Sequence, residues 1–168
     1  MSPQPAPDRT ILRIEPEDTY ALRHRTLRPE QPREACHFPG DASESAFHLG
    51  AFDGGMLVAV ASFNPEAAPA CLDGFVKGLE TGSPDPGGVW RLRGMATASE
   101  SRGQGHGSAL LRAGLAELEQ RGGRLLWCNA RLSAADFYLG LGLARAGEDF
   151  EIPGIGGHVV MWCGLASF

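Results

Sequence analysis

The chain has 168 residues, enough for one domain with a sizeable core. Its 43% apolar and 21% charged residues are ordinary globular composition, and no stretch nears the roughly 20 apolar residues of a membrane-spanning helix. A net charge of −5 argues against a general nucleic-acid surface, because neutralising phosphates needs an excess of Lys and Arg.

Residues 1–9 are Pro-rich and read as a flexible tail, without the basic start and apolar run of a signal peptide. Residues 10–168 read as a single domain, with the cytoplasm as its expected compartment. Residues 10–14 predict a short strand. Glu15, Pro16, Glu17 and Asp18 then mark a helix start, with acidic groups at the positive end of the dipole. That helix is expected to stop before Pro29. Residues 29–45 read as a loop with room for one helical turn. A hairpin follows, with strands at 46–52 and 56–63 joined by Asp53-Gly54-Gly55, which permits positive φ. Residues 64–87 carry Pro65, Pro69, Pro84 and Pro86 and read as irregular.

Residues 89–97 predict a strand in which Arg91 and Arg93 share a face. They read equally well as the wall of an acidic acceptor's pocket or as wet surface. Leu111, Leu115 and Leu118 fall at i, i+4, i+7 and predict a helix over 108–121, with Glu117 and Arg121 spaced to pair. Residues 124–129 read as a buried strand and 133–140 as a short helix with Ser133 as N-cap. Residues 144–152 and 158–165 close the chain as an antiparallel pair. The order β-α-β-β-β-α-β-α-β-β implies a mixed sheet with helices on its faces. Cys36, Cys71, Cys128 and Cys163 form no C-x-x-C pair and have no His at ligand spacing, so neither a disulfide nor a metal is expected.

The chemistry concentrates in Ser101-Arg102-Gly103-Gln104-Gly105-His106-Gly107-Ser108, between a predicted strand and a helix. Amides at a helix start have no partner in the helix. Glycines let the chain curl so that these amides converge, and the helix dipole adds positive potential. Arg102 adds a full charge. This is a recipe for holding a pyrophosphate. The P-loop is excluded because no Lys follows a glycine here, and both frames of G-x-G-x-x-G fail, at Ser108 and Leu110.

These residues resemble the GNAT superfamily of acetyl-CoA-dependent N-acetyltransferases, and the stretch from Phe150 to Met161 looks like one bacterial branch of it. The signature [RQ]-x-x-G-x-[GA] falls on Arg102, Gly105 and Gly107, and Ala130 to Leu143 resembles the family's A-x-x-F-Y-x-x-x-G-F block, with Leu143 in place of the last Phe. The resemblance implies an α/β (α+β mixed) GNAT acyltransferase fold. Its central sheet would have 6–7 mostly antiparallel strands with one splayed parallel pair, and about four helices. It implies acetyl transfer from acetyl-CoA to a primary amine of a small molecule or peptide, by direct attack in a ternary complex. Met95, Ala96 and Thr97 would bind the pantetheine arm. Arg102, Gly103, Gln104, Gly105, His106, Gly107 and Ser108 would hold the diphosphate, with no chemistry assigned to the His106 side chain itself. Arg131, Phe137 and Tyr138 complete the expected cofactor contacts. Arg131 stands where many members have Asn, and Phe137 is core by residue type.

Tyr138 matches the position that often protonates the leaving thiolate. The base is open among Glu148, Asp149, Glu151 and His158, with Glu151 and His158 the preferred pair, and a water chain is the alternative. A homodimer fits the resemblance; neither nucleic acid nor membrane is expected as a partner. Two other readings stand beside the enzyme: a catalytically silent CoA-binding regulatory module, and an interaction protein whose Gly-rich turn only packs.

Overall fold

The structure, a computed structural model, describes residues 8–77 and 88–165. The Pro-rich start at 1–7, and 78–87 of the expected irregular segment, lie outside these residues. Seven strands form one sheet: β1 (Arg9–Ile14), β2 (Phe47–Asp53), β3 (Met56–Pro65), β4 (Val89–Thr97), β5 (Leu125–Arg131), β6 (Ala144–Ile152) and β7 (Gly156–Gly164). Their order is β1-β2-β3-β4-β5-β7-β6. Four helices accompany them: α1 (Pro16–Leu27), the single turn α2 (Asp73–Val76), α3 (His106–Gln120) and α4 (Ala135–Gly140). The chain divides into two compact units, Met1–Ser62 with Gly94–Ala113, and Phe63–Arg93 with Gly114–Phe168.

In the first unit, β1 and β2 pair antiparallel from Arg9↔Asp53 to Ile14↔His48. α1 starts where the sequence signals it. Pro16 occupies its first turn, and the Asp18 carboxylate accepts from the Glu15 N–H at 2.9 Å. Leu22, Val60, Ala96 and Ala98 form the apolar core, with Ile14, Leu27 and Leu57 packed on it. A polar core lies in the same unit. Arg23 is fully buried and grips Asp41 with both Nη atoms, at 2.6 and 3.0 Å. It also donates to the Cys36 carbonyl at 2.8 Å and to Ser62 Oγ at 2.6 Å. The Ser62 hydroxyl contacts His48 Nδ1 at 2.6 Å, and His48 Nε2 reaches the Asp41 carbonyl at 3.0 Å. These four hydrogen bonds from the two Nη atoms offset much of the cost of burying the guanidinium, whose Nε has no partner.

In the second unit, β4 and β5 run parallel through Val89↔Leu125, Trp90↔Leu126 and Arg91↔Trp127. β7 pairs antiparallel with β5 from Leu125↔Gly164 to Arg131↔His158. β6 closes the edge on β7, with a register irregularity between Ala146 and Phe150. The core here is Leu72, Val89, Leu125, Trp127, Ala146 and Val160. Three expectations change. β1 begins at Arg9, one residue before its expected start. α3 begins at His106, two residues before the expected start, because the Gly105 carbonyl already accepts the Ala109 N–H at 3.1 Å. Ser133 does not cap α4: it sits in a 3₁₀ turn over 132–134, and the cap position belongs to Ala134, whose side chain has no acceptor. The Glu117–Arg121 pair forms as spaced, at 2.7 Å.

Gly114 lies within α3, where Gly usually costs about 1 kcal/mol relative to Ala. Here a Cβ would fall onto the ring of fully buried Phe63, 2.6 and 2.7 Å from Cε1 and Cε2. Overpacking at that depth outweighs the helix gain. Gly114→Ala is expected to lower the urea unfolding free energy by about 1–3 kcal/mol, and Phe63→Leu in the same chain to recover part of it. A Gly114→Ala protein more stable than the parent would contradict this packing.

Candidate active site

The Gly-rich turn occupies residues 102–105 of the first unit, directly before α3. Gly103 and Gly105 take φ of 75° and 81°, conformations that L-residues with side chains rarely adopt. Arg102, Gly103, Gln104 and Gly105 are exposed. Among the described residues, the N–H groups of residues 103–108 donate to no backbone carbonyl; the first helical bond is that of Ala109. Six consecutive donors thus gather at a helix start carrying about half a positive charge. The exposed Arg102 side chain stands beside them. Nothing lies within 4 Å of where a Gly103 Cβ would be. The turn can therefore receive a polyanion without a side chain in the way. Upstream, Gly94 takes φ 59° within β4, and Met95, Ala96 and Thr97 follow, Ala96 buried and the other two half-buried.

One residue of this turn does more than the sequence suggested. His106 is buried, not a free position of a motif. Its Nδ1 accepts from Arg9 Nε at 3.1 Å, and its Nε2 lies 3.8 Å from Asp53 Oδ2. Arg9 also donates to the Gln104 carbonyl. Arg9 carried no sequence signal, because its partners lie 95 and 97 residues away.

The second unit carries the other candidates. Tyr138, on α4, is 7% exposed, with Phe137 edge-on to it at 5.0 Å between ring centroids. Burial pushes the Tyr138 phenol well above its ordinary 10, and Cys128 adds to the shift. His158 is buried in β7, directly across from Arg131 on one side and Phe150 on the other. Its Nδ1 lies 2.7 Å from the Gly156 carbonyl. A carbonyl only accepts, so Nδ1 is the donor in this contact. Glu151 sits exposed on the edge strand, across from Gly157. The structure thus brings Arg131, His158 and Phe150 into one cross-strand row, with Glu151 one residue on from Phe150. Glu148 and Asp149 are exposed, and Asp149 lies 3.5 Å from Arg145. Arg91 is engaged: its Nη1 pairs with Glu66 Oε1 at 2.9 Å, and its guanidinium lies over the Trp127 ring at 4.7 Å. The Trp127 indole in turn donates to the Glu66 carbonyl at 3.1 Å. Arg91 is therefore a neutralised part of this wall, not an open acidic-substrate contact. Among the described residues no group of three or more His, Cys, Asp or Glu could hold a metal ion, and no helix is long and apolar enough to cross a membrane.

Residues 10–143 match the model of the Acetyltransferase (GNAT) family. The chain belongs to the GNAT acetyltransferase family. An uncharacterized N-acetyltransferase of Bacillus subtilis (strain 168), YitI, is 41% identical over 152 residues, covering 90% of this chain and 93% of that protein. Two solved structures share the fold. The ribosomal-protein-S18-alanine N-acetyltransferase of Escherichia coli has a TM-score of 0.69 at 20% identity, over 95% of this chain and 96% of that one. An aminoglycoside 6'-N-acetyltransferase complexed with coenzyme A has a TM-score of 0.64 at 16% identity, over 95% and 98% of the two chains. The seven-stranded sheet with its parallel β4–β5 pair is the GNAT fold expected from the sequence, and N-acetyl transfer is the reaction class of this GNAT protein.

Its second unit holds three weak acids that folding makes weaker. Burial pushes the Cys128 thiol up to about 12 and the Cys163 thiol to about 11, and Tyr138 moves the same way. The folded chain keeps these protons at pH values where the unfolded chain has lost them. Their contribution to stability is whole below the unfolded pKa and is lost as pH rises through the folded one. The urea unfolding free energy of this GNAT protein is expected to fall between pH 9 and 11, by at most about 1.4 kcal/mol per pH unit for each group. Cys128→Ala should make that fall shallower; an unchanged slope would show that Cys128 does not contribute.

Proposed function

We propose that this chain transfers the acetyl group of acetyl-CoA to a primary amine of a small molecule or peptide, by direct attack in a ternary complex and as a cytoplasmic enzyme. The observation that carries this is the run of N–H donors over 103–108, opened by two positive-φ glycines and flanked by Arg102. A diphosphate fits that donor set by charge, by count and by the open space at Gly103. When bound, the cofactor supplies an acyl thioester and a leaving thiolate.

The chain's own residues then have separable roles. Arg102 and the amides of Gly103, Gln104, Gly105, His106, Gly107 and Ser108 hold the diphosphate. The backbone of Met95, Ala96 and Thr97 binds the pantetheine arm. Arg131, Phe137 and Tyr138 complete the cofactor contacts. Tyr138 gives its phenolic proton to the leaving sulfur. Its raised pKa keeps it fully protonated at neutral pH, as an acid must be, and makes concerted release the way it acts. His158 takes the proton of the attacking amine on Nε2, the nitrogen not committed to the Gly156 carbonyl. Glu151, exposed on the edge strand, receives the acceptor rather than the proton. The acceptors named for the two solved relatives, an aminoglycoside and the alanine of a ribosomal protein, set the range of amines to screen.

Calorimetric titration with CoA and an amine panel read by free-thiol release test this directly. CoA binding and steady thiol release with at least one amine are expected. Tyr138→Phe should lower kcat by about 10²–10³ while leaving the CoA Kd within about twofold. No heat with CoA would overturn the reading of the turn. CoA binding without thiol release from any amine would leave a cofactor-binding module in place of an enzyme.

A further inference from the structure

We propose that Arg9, on the first strand, is a positioning residue that aims the Gln104–Gly105 peptide at the cofactor's diphosphate, with His106, backed by Asp53, holding its guanidinium in place. This rests on the reading of the turn given above.

Arg9 donates to the Gln104 carbonyl through Nη2 and to His106 Nδ1 through Nε, at 3.1 Å for the latter. Every peptide bond described is trans. In a trans peptide the carbonyl and the following N–H point in opposite directions. A Gln104 carbonyl fastened to Arg9 therefore turns the Gly105 N–H to the other side of the turn. The positive charge behind the carbonyl also polarises that N–H. Gly105 supplies the φ of 81° that this turn takes, and Arg9 Nη2 passes 3.4 Å from where its Cβ would be.

The guanidinium is held in turn by His106, which Asp53 backs from its other nitrogen. His106 opens α3, and its imidazole is buried. Because Nδ1 accepts from Arg9, the ring proton sits on Nε2, which makes no hydrogen bond and faces the Asp53 carboxylate at 3.8 Å. Asp53 is the residue paired with Arg9 across β1 and β2. The strand pairing thus delivers cation and carboxylate together to the turn. A purely structural clip would need neither the charge nor the carbonyl it holds.

The test measures CoA affinity by calorimetry on the full chain, alongside the unfolding midpoint without ligand. Arg9→Met is expected to raise the CoA Kd about tenfold, and to leave binding of pantetheine, which lacks the diphosphate, unchanged by ligand-observed NMR. Arg9→Lys, which keeps a charged donor, should recover part of the loss. His106→Leu should weaken CoA severalfold, and less on the Arg9→Met background than alone, since the two act as one unit. His106→Asn keeps an acceptor near Nδ1 and should bind CoA within about threefold of the parent. If Arg9→Met unfolds, the Lys and Asn variants carry the same comparison. Parent-like CoA affinity in Arg9→Met, a lowered midpoint with unchanged Kd, or strictly additive losses would overturn the role of Arg9. A parent protein that does not bind CoA would overturn the turn's reading, and that outcome is distinct from the others.

Discussion

A peptide group cannot turn its carbonyl one way without turning its neighbour's N–H the other. The Gly-rich turn depends on that rigidity. Its donors converge only if the carbonyls between them are sent elsewhere, and each of those carbonyls needs a home. The Gly105 carbonyl goes into α3 by accepting from Ala109, and the Gln104 carbonyl goes to Arg9. The glycines permit the curl, but permission is not direction: a residue free to take positive φ is also free not to. A cation from a distant strand supplies the direction in this chain.

A second charge organises the same unit from beneath. Arg23 is buried on α1, and its guanidinium ties together the 36–41 loop, through Cys36 and Asp41, and β3, through Ser62. A Cβ at Gly94 would come within 2.6 Å of its Nε. The stretch of β4 that leads into Met95, Ala96 and Thr97 is thus laid over a fixed polar cluster. An apolar replacement of similar volume could be as stable. What it could not do is hold three separate segments by directed bonds at once, and the strand that precedes the turn needs that placement.

The legible parts of the chain were those whose physics is local. The α3 stripe of Leu111, Leu115 and Leu118, with Leu115 half-buried, the Asp53-Gly54-Gly55 hairpin turn, the Glu15–Asp18 helix start and the Gly-rich turn each carry their pattern within a dozen residues, and each lies where it was expected within two residues. The partners across the fold were not legible. His106 looked unimportant because nothing near it in sequence pairs with it; Arg9 and Asp53 reach it through β1–β2 pairing. Arg91 looked available until Glu66 and Trp127, 25 and 36 residues away, closed on it. Ser133 has the right chemistry for a cap, but the chain enters α4 through a 3₁₀ turn that puts Ala134 at the boundary. A position's residue type states what it can bond to, and topology decides what it meets.

The same distinction orders the proton-handling groups of the second unit. Among three carboxylates and one imidazole, the sequence favoured Glu151 and His158 as the base. Placement separates them: Glu148, Asp149 and Glu151 are exposed on the edge strand. His158 is buried one strand further in, with Nδ1 committed to the Gly156 carbonyl. Tyr138 is buried too, and its phenol titrates well above its ordinary 10. Burial thus holds the proton on the Tyr138 phenol, the state from which a proposed donor to a leaving thiolate must start.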